Sequence, residues 1–333
     1  MQINSKIFDF IPNTWLWILK NILFVGVLFS VYLLLNEKGE NLASALAYIK
    51  HLPFHINVPI VLLLMPANWA FEAWKWQRLA ARVEPITFGE AYQGVLAGLA
   101  LATFTPLMIG DYAGKILMLK TKQRTAGIGA IFLGNSMQLY VSLLFGTMGY
   151  IYFIGIAQPI PLVLHIIIAA LLAGLLITGV LLAFKLQAIS FFNTSYSFIQ
   201  FIKQYLIIIK EYSLPEIRDV FLIATGRYLI FSIQFLLVLQ WFQINLPLVV
   251  LLAGISIIFL TKTVGAAFNF LGDLSLRAIT SVYYFGYFGI QLSVITIATF
   301  VIWFLNVLVP ILIGSLFILT LRFSARKAEV SAK

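Results

Sequence analysis

Long apolar runs separated by short polar linkers dominate this chain. Eight stand out, at about 15–35, 56–72, 88–120, 127–154, 161–184, 218–240, 247–289 and 293–320. Runs near 20 residues cross a bilayer core as helices rising ~1.5 Å per residue. Barrel strands would show shorter segments of alternating polarity. The pattern predicts an all-α polytopic membrane protein, with residues 1–333 forming a single integral membrane domain. Its first run, Leu16 to Leu35, is full length and follows a head with Asp9 and Pro12, so it reads as a retained membrane helix rather than a cleaved leader.

Two runs are interrupted. The third, 88–120, is broken by Pro106 and Gly110, and the seventh, 247–289, around 264–273. Each break carries the same short pattern: Gly110-Asp111-Tyr112-Ala113-Gly114-Lys115 and Gly272-Asp273-Leu274-Ser275-Leu276-Arg277. Each follows a helix-unfriendly run, Phe104-Thr105-Pro106 or Phe268-Asn269. Charge within hydrocarbon costs several kcal/mol unless it is paired or hydrated. Paired interruptions of this kind point to a binding site at a repeat interface. Both runs are expected to fold as broken or re-entrant helical hairpins.

Charge then orients the chain. Linkers 73–87, 120–126 and 185–218 and the tail carry most of the cations, whereas 155–160, 241–247 and 289–293 carry none. By the positive-inside rule, both termini fall in the cytoplasm and the balanced loop 36–55 lies outside. Trp69, Trp74 and Trp76 among Lys75, Arg78 and Arg82 read as a cytoplasmic interface. Three full crossings separate the two hairpins, so they should enter from opposite faces, as an inverted repeat would. Linker 185–217, with Phe191, Phe192, Tyr196, Phe198, Phe201 and Tyr205 interleaved with Lys203 and Lys210, suits an amphipathic helix on the inner leaflet or an extension of its neighbours. The tail, 321–333, is basic.

Composition narrows the chemistry. The chain is 62% hydrophobic and 10% charged, against about a quarter charged in soluble domains. The net charge of +10 is accounted for by the membrane-flanking cations, so nucleic acid is not an expected partner. There is no cysteine, and His51, His55 and His165 are scattered, so neither a metal centre nor a cofactor is expected. No P-loop, Gly-x-Ser-x-Gly, His-Glu-x-x-His or Asp-rich cation motif occurs.

The candidate site residues are the intramembrane charges. Asp111 and Asp273 can act as helix N-caps and can neutralise Lys115 and Arg277 at i, i+4. Alternatively, the broken helices present their N-termini and these cations to a midplane cavity. Arg227 lies deep in the sixth run, with Gln234 at i+7; it either snorkels or faces the site. Lys262 reads as a cytoplasmic-end anchor. Lys115, Arg227, Lys262 and Arg277 against Asp111 and Asp273 leave two net positive charges, which favours a phosphate-bearing ligand. Asn135, Gln138, Trp303 and Asn306 read as interhelical glue, and Gly94 with Gly98 as a packing face. Glu72 and Glu90 are placed at the cytoplasmic interface.

The run from Pro106 to Gly110-Asp111 and Lys115 resembles the Pro-x-x-x-Gly-Glu-x-x-Arg signature of the lysylphosphatidylglycerol synthase membrane-domain (flippase-like) family. Gly272-Asp273 to Arg277 resembles its Gly-x-Gly-x-Arg-Glu signature, and Trp76-Gln77-Arg78-Leu79 its Arg-Trp-x-x-Leu stretch. Asp111 stands where that family has Glu, Lys115 comes four residues on rather than three, and Ser275 and Ala278 replace a Gly and a Glu. The resemblance implies a polytopic domain that handles anionic or modified lipids. No segment remains for a cytosolic synthase, so it implies a stand-alone translocation domain.

The expected function is translocation of an anionic or modified phospholipid, or a polyprenyl-phosphate-linked precursor, across the cytoplasmic membrane. Lys115, Arg277, Arg227, Asp111 and Asp273 would form the substrate site. The alternatives are a transferase using a lipid-phosphate-linked donor and a lipid-binding membrane protein that transports nothing.

Overall fold

The computed structural model describes residues 52, 56–105, 109–121, 124–157, 161–185, 207–266 and 270–318. The regular structure among them is helical, without a strand. The helices are α1 (Asn57–Ala80), α2 (Phe88–Phe104), α3 (Ile109–Leu117), α4 (Gly127–Ile156), α5 (Leu162–Lys185), α6 (Leu214–Trp241), α7 (Leu248–Ala266), α8 (Phe270–Tyr287) and α9 (Leu292–Trp303). A π-helical turn, Phe304–Leu308, extends α9, and the span runs on to Ile318. Among the described residues, four spans are long and apolar enough to cross a membrane: Arg124–Ile156, Leu162–Phe184, Leu214–Trp241 and Leu292–Ile318. These fit a multi-pass membrane protein. The first apolar run, the 36–55 loop apart from Leu52, the linker before Ile207 and the basic tail lie outside the described residues.

Both interrupted runs fold back on themselves. In the first, α3 returns along α2, with Gly110 against Leu101 and Ala102, Gly114 against Gly98, and Met118 beside Gly94. The chain comes back to where it started: the Lys120 and Thr121 amides both donate to Glu84 Oε2 at 2.7 Å. Nine residues make α3 about 13 Å long, well short of a ~30 Å core. At the turn, Thr105 Oγ1 donates to the Leu101 carbonyl (3.2 Å) and accepts from the Gly110 amide (2.8 Å), so it satisfies backbone that the break leaves open. In the second hairpin, Thr261 and Thr280 share a hydroxyl bond of 2.8 Å, and Tyr284 Oη donates to the Val250 carbonyl at 2.9 Å.

A polar ladder joins α1 and α6 antiparallel. Tyr212 Oη, just before α6, donates to Leu79 O (2.6 Å), Gln234 Nε2 to Val61 O (2.8 Å) and Asn57 Nδ2 to Leu237 O (3.2 Å). One end of the bundle is charged. There Arg82 grips Glu216 with two bonds of 2.7 and 2.8 Å, and Lys120 pairs with Glu90 at 2.9 Å. Glu90 also closes a capping box with Thr87 that starts α2. The loops at the opposite end, 242–247 and 288–291, are uncharged. The second turns at Gly289, whose φ of 75° suits glycine.

Two apolar clusters fill the interior. One gathers Phe231, Phe235, Phe259, Tyr284 and Phe285 between α6, α7 and α8. The other gathers Trp76, Leu79, Val95 and Ile131 between α1, α2 and α4. Lipid is as apolar as leucine, so helices in it associate through close packing and polar contacts rather than hydrophobic burial. Gly98 permits one such approach: a Cβ there would sit 2.8 Å from the Asp111 carbonyl oxygen. By contrast, α5 leaves Leu162, Ile166, Leu171 and Phe184 exposed, and Gly179 sits against Tyr140 where the helix meets α4.

A Cβ at Gly114 would overlap the Gly98 backbone. Gly114→Val is therefore expected to pry the first hairpin open at a cost of about 1–3 kcal/mol or more. Thermal unfolding in detergent should show a lower midpoint than wild type, whereas Gly155→Val, in open space, should leave it unchanged.

Candidate functional site

The seam between the two apolar clusters holds the buried charges. Glu72, only 4% exposed, lies on the α1 face that meets α6. Its two oxygens serve three cations: Lys75 at 2.7 Å and Arg227 at 2.8 Å on Oε2, and Lys115 at 3.1 Å on Oε1. Lys115 also pairs with Asp111 at 2.9 Å, and Asn135 Nδ2 donates to that carboxylate at 3.4 Å. Arg227 lies with its guanidinium carbon 5.0 Å from the Trp69 ring centroid. It donates from Nε to Asn68 Oδ1 (3.1 Å) and from Nη1 to Gln138 Oε1 (3.5 Å). Asn68 in turn donates to Asn306 Oδ1 at 3.0 Å. The π-helical turn that carries Asn306 adds a residue to the helical repeat, a distortion that recurs at functional sites.

Beside this network lies a cavity of about 140 Å³. Arg227, Lys262 and Arg277 reach it, along with Asn68, Thr103 and Asp273. Leu99, Ala102 and Thr103 come from the tip end of the first hairpin, and Lys262, Asp273 and Arg277 from the tip end of the second. The broken ends of both hairpins thus border one space near the middle of α1 and α6. Arg277 holds Asp273 with two bonds, Nε to Oδ2 at 2.9 Å and Nη2 to Oδ1 at 3.1 Å. Its Nη1 is buried and has no hydrogen-bond partner among the described residues. Lys262 has no carboxylate within ion-pair distance among the described residues. Its ammonium lies 5.1 Å from the Phe231 ring centroid and 5.4 Å from that of Phe259. Arg277 faces the same Phe231 ring, also at 5.1 Å.

Three cations border one small space, and the lining carboxylate among the described residues, Asp273, is already engaged by Arg277, so the lining carries net positive charge. Arginine N–H pairs match phosphate oxygens two at a time, and Lys262 adds a compact charge. The apolar walls keep the local dielectric low and strengthen each contact.

The structure places the expected site residues in two groups. Arg227, Arg277 and Asp273 line the cavity. Lys115 and Asp111 do not; they face Glu72 and Asn135, and reach the cavity region only through the Glu72–Arg227 bond. Both aspartates make their i, i+4 ion pairs and lie in the first turn of their helices, where the helix dipole favours a carboxylate. Lys262 is not a cytoplasmic-end anchor but a cavity residue. Glu72 is not interfacial: α1 continues to Ala80 and carries Glu72, Lys75 and Trp76 inside the bundle, leaving Trp74, Arg78 and Arg82 outward. Asn68, Trp69, Glu72, Trp76 and Leu79 recur every three or four residues, the signal of a continuing buried face. Asn306 and Gln138, read as glue, hydrogen-bond across helices as glue would, and Asn306 also borders the cavity.

Comparison with known protein families, with curated proteins and with solved structures finds no match to this chain.

Breaking one half of a buried ion pair leaves an uncompensated charge and costs about 3–5 kcal/mol, while removing both halves costs less. Arg277→Gln is therefore expected to lower the thermal midpoint in detergent more than the double variant Asp273→Asn/Arg277→Gln does. A double variant at least as unstable as the single one would mean that the pair is not buried as described.

Proposed function

We propose that this chain is a membrane translocase that carries the phosphate-bearing headgroup of an anionic lipid or lipid-linked precursor through the cavity. The observation that carries the reading is the set of three cations, Arg227, Lys262 and Arg277, around one small space between two broken hairpins. Discontinuous helices bordering a central site are the architecture of transporters that alternate access. Irregular backbone at membrane depth is tolerated where it lines a cavity or is buried in protein. The three long helices α4, α5 and α6 lie between the hairpins in sequence. If each crosses once, the hairpins enter from opposite faces as an inverted repeat, with the charged end bearing Arg82, Lys120 and Arg124 in the cytoplasm. The resemblance to the lysylphosphatidylglycerol synthase membrane domain, carried by the two Gly-Asp motifs, points to the same class of substrate.

A transferase would need a free general base beside the donor. Asp273, the lining carboxylate among the described residues, is tied to Arg277 by two bonds, which favours carriage over chemistry.

The test uses purified protein in phosphatidylcholine vesicles that contain a fluorescent phosphatidylglycerol, with a membrane-impermeant quencher reporting movement between leaflets. Lys262→Met removes a cavity cation that has no carboxylate partner among the described residues, so its fold should hold. Movement should fall about tenfold or more, the loss expected for a charge-assisted contact of roughly 1.5–3 kcal/mol. Wild-type movement in Lys262→Met would contradict the reading, and binding without movement in wild type would turn it towards a lipid-binding protein that transports nothing.

A further inference from the structure

Glu72 is the buried carboxylate that the headgroup site does not need. An anion receptor gains nothing from a second carboxylate one bond away from its arginine. Yet Glu72 draws on three cations, and one of them, Arg227, is the cavity's own. Lys75 and Lys115 would still neutralise Glu72 if Arg227 let go. Arg227 is also placed to turn. Its guanidinium carbon lies 5.0 Å from the Trp69 ring centroid, and its Nη2 makes no hydrogen bond among the described residues. Both Trp69 and Arg227 line the cavity.

We propose that Glu72 is a built-in counter-anion that competes with the substrate for Arg227. This rests on the reading of the cavity as an anionic-headgroup site. With the cavity empty, Arg227 is held by Glu72. An incoming phosphate offers the same guanidinium two oxygens, and Arg227 turns on the Trp69 face to meet them. One charge-assisted contact in a low-dielectric seam is exchanged for another, so net affinity stays modest. A carrier needs that balance, because binding must be favourable enough to enter and weak enough to leave.

The exchange also gives occupancy a mechanical consequence. Glu72 ties α1 to α3 through Lys115 and to α6 through Arg227. Releasing Glu72 removes one tie between α1, with the first hairpin behind it, and α6 at the level of the cavity, while Arg227 stays on the Trp69 face. A ligand shifts a conformational equilibrium only through contacts that differ between the two states, and the Glu72–Arg227 bond is such a contact.

The experiment measures affinity and transport separately in wild type, Glu72→Gln and Lys262→Met. Affinity comes from titrating nanodisc-embedded protein with phosphatidylglycerol, and in a parallel arm with inorganic phosphate. Transport comes from the vesicle assay. Glu72→Gln is expected to bind phosphatidylglycerol about tenfold more tightly while moving it more slowly, since release becomes limiting. A structural role alone would weaken both or change neither.

If Lys262→Met loses binding while Glu72→Gln binds no more tightly than wild type, the competition is overturned and the headgroup site stands. If Lys262→Met binds as wild type does, the headgroup site itself falls. Should Glu72→Gln fail to fold, Glu72→Asp keeps the charge and shortens the reach to Arg227. A smaller gain in affinity supports the competition there, and none overturns it. Tightening with inorganic phosphate equal to that with the lipid would assign the site to phosphate chemistry itself; tightening with the lipid alone would assign it to the headgroup in its lipid.

Discussion

A charge within a membrane-spanning helical bundle is costly unless it is paired or hydrated, and the shape of this interior follows from that constraint. Lys75, Lys115, Arg227, Lys262 and Arg277 meet Glu72, Asp111 and Asp273 in one continuous seam. Each ion pair fixes a geometry. Lys115–Glu72 pins the first hairpin to α1, Arg227–Glu72 pins α1 to α6, and Arg277–Asp273 stiffens the start of α8. Five cations against three carboxylates leave two positive charges uncompensated. Among the described residues, that surplus is concentrated where Lys262 stands without a carboxylate in ion-pair distance and Arg277 Nη1 has no hydrogen-bond partner. The same pairing that makes the charges tolerable therefore leaves a positively charged space beside them, on which the headgroup proposal rests.

The broken helices make room for it. Interrupting a helix in hydrocarbon exposes backbone groups that cost several kcal/mol each unless they are satisfied. Thr105 takes up part of that cost at the first break by bonding on both sides of the turn. Glycine does the complementary work of bringing backbones together: Gly98 and Gly114 let α3 lie directly on α2, and Gly149 approaches the Ala253 carbonyl to seat α7 on α4. A short second arm and a close crossing put the C-terminal end of α2, with Leu99, Ala102 and Thr103, at the edge of the cavity.

Much of this was legible in the sequence, and what was missed has a common cause. The long apolar runs pointed to an all-helical fold, and the two Gly-Asp motifs to the i, i+4 ion pairs that the structure shows. Arg227, read as either snorkelling or facing the site, lines the cavity and pairs with Glu72. Lys115 and Asp111 carry the same motif as Arg277 and Asp273, yet they turn towards Glu72, because which face of α3 meets α1 is decided by the Gly98–Gly114 crossing and not by the motif. Glu72 and Lys75 were assigned to an interface because charge density was read as a boundary, and Lys262 because it ends the first arm of its broken run. The helical spacing of Asn68, Glu72, Trp76 and Leu79 ran across that boundary. Within the membrane, charges that can pair obey the face of the helix before they obey the edge of the apolar run.

The most direct test of the central claim, that this cavity holds an anionic headgroup, is mass spectrometry of the lipids that co-purify with the wild-type protein and with Lys262→Met. One anionic lipid class, enriched over the surrounding membrane in wild type and lost in the variant, is the predicted result. Bulk membrane lipid in both samples would contradict the account.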